Sequence, residues 1–161
     1  MKLTEFLAKS KANVFDIQNI KQLNLWGNQL TDVSLLLQIP FIEVLALGNN
    51  QISSLRALKN CHSLKQLYLL NNQIESFEEL NYLKDAKSLT LLSLRGNPCA
   101  LAAGDKYRIS VLHMLPQLIT LDDIEITDEE RHKVFEEQEF RILILRIWII
   151  KMSKSSRTRW M

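Results

Sequence analysis

Residues 23–30 read LNLWGNQL, residues 45–52 read LALGNNQI and residues 67–74 read LYLLNNQI, each starting 22 residues after the last. The match extends beyond the quoted stretches. Ile20, Leu23, Leu25, Asn28, Leu30, Val33 and Leu36 recur 22 positions on as Ile42, Leu45, Leu47, Asn50, Ile52, Leu55 and Leu58. They recur again as Leu64, Leu67, Leu69, Asn72, Ile74, Phe77 and Leu80. A fourth copy, Leu89, Leu92, Leu94, Asn97 and Cys99, begins 25 residues after the third, which places the excess in the connection around 82–88. A lone amphipathic helix repeats its apolar positions every 3.6 residues, so this interval points to stacked supersecondary units.

The unit is L-x-x-L-x-L-x-x-N-x-I-x-x-I-x-x-L. One copy is too small to bury its own apolar face, so copies must stack into a solenoid. The L-x-L part reads as a short strand with inward leucines, because alternate side chains share a face. The I-x-x-I-x-x-L part reads as a helical turn on the opposite side. The predicted fold is therefore α/β: a leucine-rich-repeat solenoid with short parallel strands on its concave face, helical turns on its convex face and a helical C-terminal cap. Asn28, Asn50, Asn72 and Asn97 are expected to point inward and satisfy backbone groups freed where the chain leaves the sheet. The preceding residues, Gly27, Asn49, Asn71 and Gly96, tolerate positive φ, which predicts a sharp turn there.

The repeats are expected over 20–102, with an N-terminal cap over 1–19 in which Leu3, Phe6, Leu7, Val14 and Ile17 close the first edge. A C-terminal cap and acidic helix are expected over 103–139. Tyr107, Val111, Leu112 and Leu115 fit one helical face, Pro116 stops that helix, and Leu118 and Leu121 offer a last strand. Thr127 and Glu130 then form a T-x-x-E capping box. Residues 122–139 hold nine acidic and two basic side chains, and that helix is read as a solvated arm docked in part through Val134 and Phe135. Residues 140–161 form a basic, apolar tail.

Composition narrows the function. A chain of 161 residues that is 47% hydrophobic and 24% charged is that of a folded domain. A net charge of +2 gives no reason to expect direct nucleic-acid binding. The apolar run 142–150 is interrupted by Arg146 and is shorter than a bilayer requires, so no transmembrane segment is expected. Two cysteines without C-x-x-C spacing and no signal-peptide pattern imply free, buried thiols in a reducing, cytoplasmic setting. Cys99 occupies a core repeat position, whereas Cys61 reads as a loop residue open to partial exposure. No catalytic motif, metal-ligand cluster or cofactor signature is present, and His62, His113 and His132 are far apart in sequence. The expected role is non-catalytic.

Solenoids work through their concave sheets. Strand alternation assigns that face to Gln22, Asn24 and Trp26, then Val44, Ala46 and Gly48, then Gln66, Tyr68 and Leu70, then Leu91, Ser93 and Arg95. Trp26, Leu70 and Arg95 collect along one edge, with Tyr68 and Leu91 beside them. Trp, Tyr and Arg dominate interface energetics, so a protein partner is expected there.

The repeats and the ending Tyr107-Arg108, Val111-Leu112, Leu115-Pro116, Leu118, Leu121-Asp122, Ile126-Thr127 and Glu130 resemble the small leucine-rich-repeat class with a dedicated C-terminal cap. A protein phosphatase type 1 regulator, the spliceosomal A-prime protein and axonemal dynein light chain belong to that class. MKLT at 1–4, LNLWGNQLTD at 23–32, EVLALGNNQIS at 43–53, ELNYLK at 79–84 and NPCA at 97–100 look most like its ciliary branch, the cilia- and flagella-associated protein 410 family. The resemblance implies a scaffold at the cilium or basal body, needed for cilium formation, that works with a NIMA-related kinase. The wider class also leaves open a nuclear ribonucleoprotein component or a phosphatase-regulatory adaptor. In the ciliary family a C-terminal helical segment oligomerises and engages the kinase, and residues 140–161 do not resemble it. That tail has two readings: a membrane-surface or partner-binding patch, or a splice or exon product foreign to the family.

Overall fold

The computed structural model describes the backbone of residues 1–157 and the side chains of residues 1–150. Two compact units are present, Met1–Ile126 and a second that starts at Thr127.

In the first unit, four three-residue strands repeat in register. They are β1 (Gln22–Asn24), β2 (Val44–Ala46), β3 (Gln66–Tyr68) and β4 (Leu91–Ser93). Each pairs in parallel with the next, with Leu23 opposite Leu45, Leu45 opposite Leu67 and Leu67 opposite Leu92. These leucines, and Leu25, Leu47, Leu69 and Leu94 two positions on, are buried. Parallel pairing continues beyond the strands: Gly27 N–H donates to the Gly48 carbonyl, Asn49 to Leu70 and Asn71 to Arg95.

The far edge is closed by a hairpin. β5 (Thr120–Leu121) pairs in parallel with β4, and β6 (Ile124–Glu125) returns antiparallel to β5. Asp122 and Asp123 connect them with φ of 52° and 64°. Two consecutive left-handed residues are the requirement of a tight turn that matches strand twist. Leu118 is buried just before β5.

The convex side is built from 3-10 turns, not α-helix, at Ser34–Gln38, Arg56–Leu58 and Phe77–Leu83. The buried residues there recur every three positions: Val33, Leu36, Ile39 and Ile42, then Leu55, Leu58, Cys61 and Leu64. Three residues per turn is the 3-10 period, so these side chains eclipse and face one core. The third connection carries Leu80, Leu83, Ala86 and Leu89, all buried. Its three extra residues therefore amount to one more 3-10 turn, with the same apolar face.

This periodicity corrects the reading of Cys61. It takes the position of Ile39 in the preceding repeat and is only 1% exposed. Burial pushes its thiol up to about 11 and also raises that of Cys99. Both cysteines are free.

At the first edge, α1 (Glu5–Ala12) starts at Thr4, whose hydroxyl accepts from Leu7 N–H at 3.3 Å, and ends at Asn13 in the left-handed region. Leu3, Ala8 and Ile17 are buried, but Phe6 is 83% exposed. Phe6 therefore does not help to close this edge, contrary to expectation. The helix turns Ala8 inward instead, and Phe6 lies on the outer side.

At the other edge, α2 (Pro98–Ala103) and α3 (Tyr107–Met114) cover the last repeat. Val111, Leu112 and Leu115 are buried, and the Tyr107 ring stacks on Phe77 with centroids 6.2 Å apart.

Among the described residues, the second unit is one helix, α4 (Asp128–Arg157). Its start is the capping box read from the sequence: Glu130 N–H donates to the Thr127 hydroxyl, and Thr127 N–H donates to the Glu130 carboxylate at 2.9 Å. The helix runs through residues 139 and 140 without a break. Val134 is buried and Phe135 is exposed. Phe140 and the apolar residues of 142–150 are exposed, and no described helix is long and apolar enough to cross a membrane.

Candidate protein-binding face

The repeats place the twelve side chains assigned to the concave face in three rows. Gln22, Val44, Gln66 and Leu91 open the strands, and Thr120 of β5 continues their row in register. Asn24, Ala46, Tyr68 and Ser93 form the middle row. Trp26, Gly48, Leu70 and Arg95 form the third, just past the strand ends. Gln22, Asn24, Trp26 and Arg95 are exposed, and Val44, Gln66, Tyr68, Leu70 and Leu91 are half-buried.

Two of these placements differ from expectation. Ser93 is buried, because a short side chain paired in register with Tyr68 cannot rise to the surface. Gly48 is also buried, because the Trp26 indole lies across it: a β-carbon added at Gly48 would fall 2.3 Å from Trp26 Cζ3. Trp26 remains 42% exposed. Its ring therefore fills the gap that Gly48 leaves between the Trp26 and Leu70 positions of the row.

Several polar groups fix the face. The Asn24 side chain accepts from Trp26 N–H at 3.0 Å, holding the turn that presents the indole. Tyr68 donates its hydroxyl to the Gln66 side chain at 3.2 Å. Along the rim before the strands, Glu43 lies between Lys21 at 3.9 Å and Lys65 at 2.5 Å. The hydrogen bond from Lys65, then its charge, hold the Glu43 carboxyl below its ordinary range. Sequence reading passed over this row, although 21, 43 and 65 share the repeat interval and alternate in sign.

Beneath the third row, the asparagines staple neighbouring repeats. Asn50 Nδ2 donates to the Leu25 carbonyl of the preceding repeat and to Leu47 of its own, while Oδ1 accepts from Asn28 and Leu30 N–H. Asn72 donates to Leu47 and Leu69 and accepts from Ile52 N–H. Asn97 donates to Leu69 and Leu94 and accepts from Ile74 N–H. Asn28 departs from the pattern. It is half-exposed, and its side chain donates to its own Trp26 carbonyl. The first copy has no preceding repeat strand to reach. The residues before the asparagines all take positive φ: Gly27 68°, Asn49 53°, Asn71 52° and Gly96 79°.

The last repeat is held differently, by Asp122. Its Oδ1 accepts from Leu94 N–H at 2.7 Å and Arg95 N–H at 3.0 Å, and its Oδ2 accepts from the Tyr107 hydroxyl at 2.7 Å. Burial, then the bond to Asp122, raise the Tyr107 phenol above its ordinary range. Both residues stand in the cap motif quoted above, but their pairing spans 15 positions and no spacing rule announces it.

Comparison with known proteins agrees with this architecture. The family model described as Leucine Rich repeats (2 copies) matches residues 18–60 and 40–82. Cilia- and flagella-associated protein 410 of Mus musculus is 41% identical over 130 residues, covering 81% of this chain and 52% of that protein. The Homo sapiens protein of the same name is 39% identical over 139 residues, covering 86% and 54%. The chain thus spans about half the length of these curated relatives. Among solved structures, a chain of the Drosophila melanogaster SNF/U2A' complex superposes with a TM-score of 0.62 at 22% identity, covering 89% of this chain and 98% of that one. That likeness shows the fold. The chain is a leucine-rich-repeat protein that resembles cilia- and flagella-associated protein 410 over most of its length.

Proposed function

We propose that this chain is a non-catalytic scaffold that holds a protein partner on its concave face and acts in cilium assembly or maintenance at the basal body. The observation that carries the binding half is the third row, where a half-exposed indole lying over Gly48 is followed by Leu70 and Arg95. An aromatic anchor with aliphatic and guanidinium neighbours is the residue set that concentrates binding energy. The ciliary half rests on the likeness to cilia- and flagella-associated protein 410.

A NIMA-related kinase is the partner that the family resemblance implies. On this reading the kinase engages a C-terminal helical segment, as that resemblance implies. The concave face is assigned a separate protein.

The test is to image a tagged chain in ciliated cells and to compare partner capture by wild type and Trp26→Ala. Basal-body puncta with capture lost in the variant support the reading. A nuclear pattern favours the ribonucleoprotein role, and undiminished capture moves the interaction off the concave face.

A further inference from the structure

We propose that the pocket at the C-terminal end of the concave rim anchors a partner peptide in which an apolar side chain stands beside a carboxylate. This rests on the reading that the concave face binds protein, and it adds the chemistry of what is bound. The pocket has a volume of about 230 Å³ and is lined in part by Arg95, Ala100, Leu101, Tyr107, Arg108 and Ile124. It continues the third row, where Arg95 follows Leu70.

Three observations set its chemistry. The mouth is aliphatic, with Leu101 73% and Ile124 61% exposed. Such side chains gain most by covering another apolar group. The base is fixed, because the Asp122 carboxylate is engaged by two backbone N–H groups and the Tyr107 hydroxyl. Lastly, among the described residues no carboxylate is ion-paired with the Arg95 guanidinium. Arg95 thus offers a planar donor fork at the lip of an apolar pocket. A carboxylate accepts from such a fork through two parallel bonds, which fixes the register of the neighbouring side chain. A leucine or phenylalanine next to an aspartate or glutamate fits both parts. A phosphodiester strand would meet the cation but leave Leu101 and Ile124 uncovered.

The test selects a random-peptide library on the full chain, then measures the enriched peptides by fluorescence anisotropy beside a single-stranded oligonucleotide. The expected consensus is an apolar residue adjacent to Asp or Glu. Affinity should fall at least about tenfold with Arg95→Glu and with Leu101→Asp. Replacing the peptide carboxylate by lysine should restore binding to Arg95→Glu and not to wild type. Arg95→Gln, which keeps the stem, serves should the reversal disturb folding, and a thermal melt accompanies each variant. A consensus without a carboxylate, no enrichment at all, unchanged affinity in the Arg95 variants, or tighter oligonucleotide binding that Arg95→Glu abolishes would each overturn the proposal. Trp26→Ala separates the two readings. Loss with Trp26→Ala alone leaves the concave face standing and removes the pocket. Loss with Arg95→Glu alone keeps the pocket and removes the wider face.

Discussion

The Trp26 indole occupies the space above Gly48 where every other third-row position carries a side chain. A β-carbon at Gly48 would overlap three ring atoms, so Gly48→Ala must displace the ring. The ring is on the surface, so the cost should be modest, about 1 kcal/mol. In a background with Trp148→Phe and Trp160→Phe, Trp26 emission should shift to the red while the thermal midpoint moves little. Emission unchanged by Gly48→Ala would mean that the ring does not lie there.

The asparagine ladder predicts a hierarchy. Asn72→Ala leaves the Ile52 N–H without a partner inside the core and strips one of two side-chain donors from each of the Leu47 and Leu69 carbonyls, which keep Asn50 and Asn97. The stranded N–H costs roughly 1–3 kcal/mol, and the two lost carbonyl bonds add to it. Asn28→Ala removes one local bond at a half-exposed site and should cost less than about 1 kcal/mol. Asn71→Ala should fall between them, since alanine at φ 52° carries strain of about 1–2 kcal/mol. Urea denaturation of the three variants gives the order, and Asn28→Ala as costly as Asn72→Ala would contradict this account.

Cys61 gives a chemical readout of the convex core. With its thiol at about 11, only about a thousandth is thiolate near pH 8. A disulfide reagent should therefore leave native Cys61 unlabelled and react at once when denaturant is added. The linkage has a sign. The folded value lies above the unfolded one, about 8.5, so the contribution is whole below that pH. It is lost as pH rises through about 11. Fast native labelling of Cys61, read by peptide mass, would mean that its thiol is open to solvent after all.

Much of this was legible because the repeat interval is a physical constraint. Residues 22 apart must stack, so Leu23, Leu45 and Leu67 could be placed without coordinates. The positive-φ sites followed from the same alignment. Cys61 lies between turns, as a loop residue does, but its burial escaped notice because it depends on a three-residue period that becomes visible only when Ile39 and Cys61 are aligned. Phe6 was misplaced because apolar type does not reveal which side of a short helix faces the core. The rim pocket was invisible for another reason: Arg95, Leu101, Tyr107 and Ile124 come from separate segments, joined only by the hairpin and α3. Local spacing carries no signal for such a meeting.

Asp122 closes the solenoid, and its removal should reach beyond one hydrogen bond. Asp122→Ala strips acceptors from Leu94 N–H, Arg95 N–H and the Tyr107 hydroxyl together. Asp122 also takes φ 52°, so alanine adds strain to the hairpin turn. A loss of about 2–4 kcal/mol is expected from these combined effects. Tyr107→Phe removes only the hydroxyl and keeps the stack on Phe77, so about 1 kcal/mol is expected. Because both act through one contact, the double variant should cost less than the sum of the two singles. Native-state hydrogen exchange should show Leu94 and Arg95 amides deprotected in Asp122→Ala, with Leu45 and Leu67 in the repeat core unchanged. Retained protection at Leu94 and Arg95, or strict additivity in the double-mutant cycle, would mean that the last repeat is held by packing of α3 and not by this carboxylate.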